Sequence, residues 1–220
     1  MNASLSRSRV AVLAMAASLL LGACGALPDK PQRATLYDFG PGADSGGGLP
    51  EAASAAQRPA ITLPEIDASG RLDGTQMLYR LGYADAQALR AYSQARWSLP
   101  PSQLLRQRLR DGLAAQRTVL ALDEAAGIAR TEGRVPDVLR ITLDEFSHYF
   151  ESPSSSGGLV RVRATLLRST PAGDRVIAQR SFSARSPAST NDAPGGVKAL
   201  AAASDAMVRE LAAWIDGASR

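Results

Sequence analysis

Residues 159–167 read LVRVRATLL, and the strict alternation of apolar and polar side chains along this stretch decides the fold. Residues 138–146, VLRITLDEF, alternate in the same way, and residues 175–184, RVIAQRSFSA, predict a third strand. An alternation of period two is typical of strands that bury one face. Turn-forming residues at 152–158 and 170–174 connect the three segments. The sequence therefore predicts an antiparallel meander of three strands.

Two amphipathic helices are predicted outside the meander. A long helix over residues 194–216 carries one apolar stripe, and Asn191 or Asp192 can cap its start. An earlier helix opens at residues 100–101, because two prolines are tolerated in a first helical turn. Its apolar face repeats at every fourth position, at Leu105, Leu109 and Leu113. We expect both apolar stripes to face the core.

The segments before the first helix add shorter strands. Residues 36–39 and 76–83 are β-prone, whereas residues 87–92 fit either a strand or a short helix. Residues 59–66 have the pattern of a strand interrupted by Pro64. Proline cannot donate to a β-ladder, so this strand is expected at a sheet edge.

Residues 119–122 predict a brief strand, which a polar turn follows as far as residue 133. Together these elements predict a mixed α/β (α+β) fold. It contains one mixed, partly antiparallel sheet flanked by two main helices, and an N-terminal signal segment precedes it.

The residue counts exclude several kinds of site. The single Cys cannot form an internal disulfide, and one Cys together with one His supplies too few ligands for a typical zinc site. The chain has no Gly-x-x-x-x-Gly-Lys-[Ser/Thr] loop and no Gly-x-Ser-x-Gly elbow. His148 is expected half-exposed at a strand end. Asp144 and Glu145 are expected on opposite faces, unless a bulge breaks the alternation. We expect no catalytic residues, metal or cofactor.

The N-terminus has the pattern of a secretory signal. Arg7 and Arg9 precede an apolar run over residues 10–21, which is too short to span a bilayer. Leu21-Gly22-Ala23-Cys24 then resembles the bacterial lipobox, in which the Cys receives a diacylglycerol and the signal is cleaved before it. A plain cleavage site with a chance Cys is the alternative. We expect Cys24 to be lipidated.

These features divide the chain into a signal peptide over residues 1–23, a tether over 24–35 and a folded domain over 36–217. Gly25 stands where an Asp signals inner-membrane retention, so the outer membrane is expected, with the domain facing the periplasm. Cleavage removes two arginines and lowers the formal net charge from +4 to +2. That small charge disfavours nucleic-acid binding.

Arginines recur on one face of the predicted meander. Arg140, Arg161, Arg163 and Arg180 could form a basic stripe that contacts an acidic partner or anionic lipid head groups. The alternative is a solvated sheet face, since one side of an antiparallel sheet is commonly polar. The sequence leaves both readings open.

Several segments together carry a family resemblance. In chain order they are YDFG (37–40), MLYRL (77–81), LRAY (89–92), ARW (95–97), PP (100–101), DEF (144–146), VRVRA (160–164), AQRSF (178–182) and GGVKAL (195–200). Following a lipobox, this order resembles the ABC-type transport auxiliary lipoprotein family, which includes the paraquat-inducible protein C-like lipoproteins. The likeness covers nearly all of the chain after Cys24.

The resemblance implies a docking function without catalysis. Such lipoproteins work with ABC transporters whose periplasmic component carries an MCE domain and which move phospholipids or other hydrophobic molecules. The implied partners are that MCE-domain protein and the membrane through the lipid anchor. The sequence leaves open whether the chain also forms a homo-oligomer. Tyr79, Arg80 and Trp97 match the most recognisable family motif and are docking candidates beside Arg140, Arg161 and Arg163. A scaffold lipoprotein of another envelope assembly and a secreted hydrolase are the alternatives.

Overall fold

The computed structural model describes residues 33–40, 58–132, 135–170 and 172–218. The strands are β1 (Thr35–Tyr37), β2 (Ile61–Thr62), β3 (Asp67–Ala68), β4 (Gln76–Leu81), β5 (Asp85–Trp97), β6 (Val119–Leu120), β7 (Asp137–Ser152), β8 (Ser155–Thr170) and β9 (Gly173–Pro187). The helices are α1 (Pro101–Ala114), α2 (Leu122–Glu132) and α3 (Ala193–Ala218). The predicted signal peptide, Cys24 and the first part of the tether lie outside the described residues.

The predicted meander is confirmed, and its strands are longer than the alternation suggested. β7 pairs antiparallel with β8, and β8 pairs antiparallel with β9. The hairpin between β7 and β8 turns only at residues 153–154, because the ladder continues through the pairs Phe150↔Ser156 and His148↔Gly158. Small residues at the start of β8 therefore extend a strand where a longer loop was predicted.

β7 is the central strand, and three short segments share its other edge. β2, β3 and β4 each pair in parallel with a successive part of β7. The rest of the path runs from β4 through β5 to β1 on one side and from β2 to β6 on the other. The mixed sheet that the sequence predicts is confirmed.

The edge position predicted from Pro64 is wrong. β2 covers only Ile61–Thr62 and lies between β6 and β7, with parallel partners on both sides. Pro64 follows the strand, so its missing N–H interrupts no pairing.

The buried face of the sheet packs against α1 and α3. The leucine repeat of α1 is buried, with Leu105, Leu109 and Leu113 each 1% exposed or less. α3 contributes Leu200, Met207, Leu211 and Ile215 to the same core. Asp192 caps α3, because its Oδ1 accepts a hydrogen bond from the Gly195 N–H at 2.9 Å. Both predicted helices are confirmed.

α2 is a helix where a polar turn was predicted. Its start is held by Glu124, whose Oε2 accepts a hydrogen bond from the Ala121 N–H at 2.6 Å. A Glu three residues past the N-cap that reaches back to the cap is half of a capping box. Residues 87–92, which the sequence left between strand and helix, belong to the long strand β5.

Candidate functional site

Three of the predicted arginines share the outer face of the meander, which is the face opposite α1 and α3. Arg140 on β7 is opposite Thr165, and Arg161 and Arg163 on β8 are opposite Ser183 and Ser181 of β9. All three arginines are exposed. We call Arg140, Arg161 and Arg163 the arginine stripe.

Arg180 does not belong to the arginine stripe. Its cross-strand partner is Ala164, which is fully buried on the inner face. The Arg180 guanidinium lies over the Phe182 ring and contacts Glu210 of α3 at 2.9 Å. The strand period therefore places this arginine beside the helix layer.

The arginine stripe is weakly neutralised. Arg163 Nη2 lies 3.5 Å from Asp144 Oδ2, a long contact between two exposed side chains. Arg140 and Arg161 form no ion pair with any residue that the structure describes. Exposed pairs of this kind contribute little to stability, so the charges remain available to a partner.

A β-bulge turns two adjacent carboxylates to the same face. The register of β7 against β8 shifts between Leu143 and Glu145. Asp144 is exposed on the outer face, and Glu145 beside it pairs there with Arg80. The expectation that Asp144 and Glu145 face opposite ways is wrong, because the bulge named as its exception is present.

Arg80 ties three strands together. Its Nε and Nη2 donate to the two carboxylate oxygens of Glu145 at 3.1 and 3.0 Å, and its Nη1 donates to the carbonyls of Ala86 and Gln87. This bidentate geometry is the stronger kind of ion pair. Four N–H bonds within the fold leave Arg80 little capacity for a partner.

A pocket of about 670 Å³ opens above this ion pair. We call it the bulge pocket, and its walls come from the turn after β3, from β4, from the start of β5 and from the bulge of β7. It is lined by Ser69, Gly70, Arg71, Leu72, Arg80, Gln87, Ala88, Leu89, Asp144 and Glu145.

Trp97 and Tyr79 lie apart from the arginine stripe. Trp97 is 1% exposed and packs edge-on against Phe39 and Phe146 in the core. Tyr79 is half-buried and packs against Tyr92 with ring centroids 4.8 Å apart and the ring planes tilted by 46°. Burial leaves Trp97 without surface for a partner, and Tyr79 offers only part of its ring, whereas the three stripe arginines are exposed.

His148 is fully buried, so the predicted half-exposed position is wrong. Its Nδ1 lies 2.9 Å from the Tyr92 hydroxyl and its Nε2 lies 2.8 Å from the Ser156 hydroxyl, which donates to Asn191 at 2.5 Å. Because the Ser156 hydroxyl gives its proton to the bond with Asn191, it accepts from His148, so Nε2 is the donor and Nδ1 is the acceptor. The imidazole thus donates to Ser156, the reverse of a base that activates a serine. No local pattern in the sequence indicates the contact between His148 and Tyr92.

We expect the stability of the fold to decrease as the pH falls from 6.5 to about 4. Burial lowers the pKa of His148 from 6.5 to about 4, although nearby Asp192 opposes this shift. In that window the unfolded chain binds a proton that the folded chain does not, so stability is complete above pH 6.5 and is lost below it, by roughly 3 kcal/mol.

Urea unfolding across this pH range measures the effect. The variant His148→Gln cannot titrate there, and its free energy of unfolding should depend less steeply on pH. An identical slope in the two proteins would contradict the assignment to His148.

Within the described ranges, no three His, Cys, Asp or Glu side chains are grouped as a metal ion requires. No helix in the described part of the chain has the length and apolar character needed to cross a membrane.

Solved structures share the fold. A Xanthomonas campestris protein of the DUF330 family superposes with a TM-score of 0.61 at 19% identity, covering 73% of this chain and 86% of its own. A second, uncharacterised protein gives a TM-score of 0.57 at 13% identity, covering 84% and 99%. Identities this low establish the fold alone. Comparison with curated proteins returns no match.

The model of one protein family matches residues 47–212. The match spans β2 to α3 and therefore includes the arginine stripe, the bulge pocket and the His148 network. Members of this family are auxiliary components of transport systems. The chain belongs to the family of ABC-type transport auxiliary lipoprotein components.

Proposed function

We propose that the chain is a lipoprotein of the outer membrane that docks the periplasmic MCE-domain component of an ABC transporter for lipids or other hydrophobic molecules. The observation that carries the proposal is the family match over residues 47–212. The single Cys at position 24, within a lipobox pattern, supports the anchor.

The arginine stripe supports a docking function for the outer face. Two of its three guanidinium groups lack an ion pair within the described chain, and all three project from the long strands of the antiparallel meander. A rigid sheet holds the charges at fixed spacing, which favours recognition of an acidic surface. We therefore propose that the partner presents carboxylates to Arg140, Arg161 and Arg163.

Charge reversal tests this surface. The double variant Arg140→Glu and Arg161→Glu should sharply reduce recovery of transporter components with the lipoprotein, because like charges facing each other cost several kcal/mol. The matched control is Arg175→Glu with Arg209→Glu, two exposed arginines away from the stripe. Equal recovery from both double variants would exclude the arginine stripe as the docking surface.

We expect Cys24→Ala to abolish anchoring. One acyl chain gives only marginal membrane binding, whereas the two or three chains of a lipoprotein Cys give stable retention. The variant should remain an unprocessed precursor and incorporate no labelled fatty acid. The chain offers no second thiol that could replace Cys24. Persistent labelling would refute the lipobox assignment.

A further inference from the structure

The bulge pocket contains two cationic and two anionic side chains, and one of each is neutralised within the fold. Arg80 and Glu145 neutralise each other at its floor through two hydrogen bonds. Arg71 uses one N–H on the Leu89 carbonyl at 3.0 Å and has no carboxylate partner among the described residues. Asp144 is held only by its long 3.5 Å contact to Arg163. One cation and one anion at the pocket are therefore available.

The bulge is the feature that creates this arrangement. In a regular strand Asp144 and Glu145 would face opposite sides of the sheet. The extra residue at the register shift brings both to one pocket. Bulges are enriched beside functional sites because they redirect side chains in this way.

We propose that the bulge pocket binds a small zwitterionic phosphodiester, with the phosphate at Arg71 and the ammonium at Asp144. Guanidinium groups match phosphate oxygens in a planar fork, and a carboxylate accepts from an ammonium. This site lies beside the arginine stripe and requires no transporter partner.

The volume of the bulge pocket fits this class of ligand. About 670 Å³ lies within the range of small-molecule sites. Leu72 and Leu89 add an apolar wall where a glycerol backbone can pack. The shared chemistry occurs in a lipid headgroup and in a free glycerophosphodiester.

Ligand-observed ³¹P NMR on the purified full chain in nonionic detergent tests the proposal, with glycerophosphoethanolamine as the probe. The wild type should broaden the phosphorus line saturably. Arg71→Ala should weaken binding of this probe and of glycerol 3-phosphate about tenfold, the loss expected for one hydrogen bond to a charged group.

Asp144→Asn is a second variant, which removes the charge of the side chain but keeps its shape. It should weaken the binding of glycerophosphoethanolamine about tenfold and change the binding of glycerol 3-phosphate little, since only the former has an ammonium group. The matched controls Arg175→Ala and Asp111→Asn change exposed residues outside the bulge pocket and should bind as the wild type does. Absence of broadening at millimolar probe, or equal losses in the controls, would overturn the proposal.

A chain-bearing probe separates the two sources. If dihexanoyl phosphatidylethanolamine binds at least as tightly as the glycerol form, with the same dependence on Asp144, the ligand is a lipid headgroup. If the acyl chains abolish binding that the glycerol form retains, the ligand is the free phosphodiester.

Discussion

Gly158→Ala is expected to lower the free energy of unfolding by about 3 kcal/mol or more, or to prevent folding. At Gly158 of β8 the helix α3 approaches the sheet so closely that a Cβ would lie 2.4 Å from the Leu200 N and 2.5 Å from the Ala199 carbonyl carbon. Both are backbone atoms, so no side-chain rotation relieves the overlap. The helix would have to move away from its core contacts.

Two control variants separate this clash from the general effect of adding a methyl group. Gly74→Ala meets no atom within 4 Å and should leave stability nearly unchanged or slightly raised. Gly112→Ala meets the Val208 Cγ1, a side-chain atom rather than the backbone of the helix, and should cost less than Gly158→Ala. Thermal unfolding ranks the three. A Gly158→Ala protein as stable as Gly74→Ala would refute the close packing of α3 on β8.

Asp216→Ala is expected to destabilise the fold by about 3–5 kcal/mol. Arg117 follows α1 and is 3% exposed, and its guanidinium forms an ion pair with Asp216 near the end of α3. Burial already lowers the pKa of Arg117, which shows the cost of its charge at this position. Removing Asp216 leaves that charge buried without a partner.

Two further variants test this interpretation. Arg58 also pairs with Asp216 but its side chain is 40% exposed, so Arg58→Ala should cost less than about 1 kcal/mol. Adding Arg117→Met to Asp216→Ala should recover much of the loss, because an apolar side chain needs no partner. Chemical denaturation of the single and double variants measures the coupling. A double variant less stable than Asp216→Ala would contradict it.

The regular helices and strands could be predicted from the periodicity of apolar residues in the sequence and from helix-capping residues. The alternation over residues 159–167 defines β8, and the leucine repeat defines α1, because each pattern is local and its face is buried. The same reasoning named Asn191 and Asp192 as candidate caps of α3, and the structure shows that Asp192 is the cap.

The irregular part depends on contacts distant in sequence. α2 is the exception, because its start is marked by local features: Asp123 and Glu124 lie in its first turn, and Glu124 accepts a hydrogen bond from the Ala121 N–H three residues away. The two-residue strand β2 exists because β6 and β7 pair with it on both sides. The buried position of His148 required β5 to bring Tyr92 beside it.

The candidate site likewise has one part that the sequence predicted and one part that it could not predict. Alternation identified the arginine stripe, since Arg161 and Arg163 follow the period of β8. The bulge pocket was not predictable, because a register shift at Asp144–Glu145 appears only once β7 and β8 are paired. Arg71 reaches the pocket from a turn whose position depends on the parallel pairing of β3 with β7.

The most direct test of the central claim is affinity purification of the tagged lipoprotein from cross-linked membranes, with the co-purified proteins identified by mass spectrometry. A docking component of an ABC system should recover the MCE-domain protein and the transporter permease, and should lose them in the Arg140→Glu and Arg161→Glu variant. Recovery of a different envelope assembly, with no transporter component in the wild type, would contradict the proposed function.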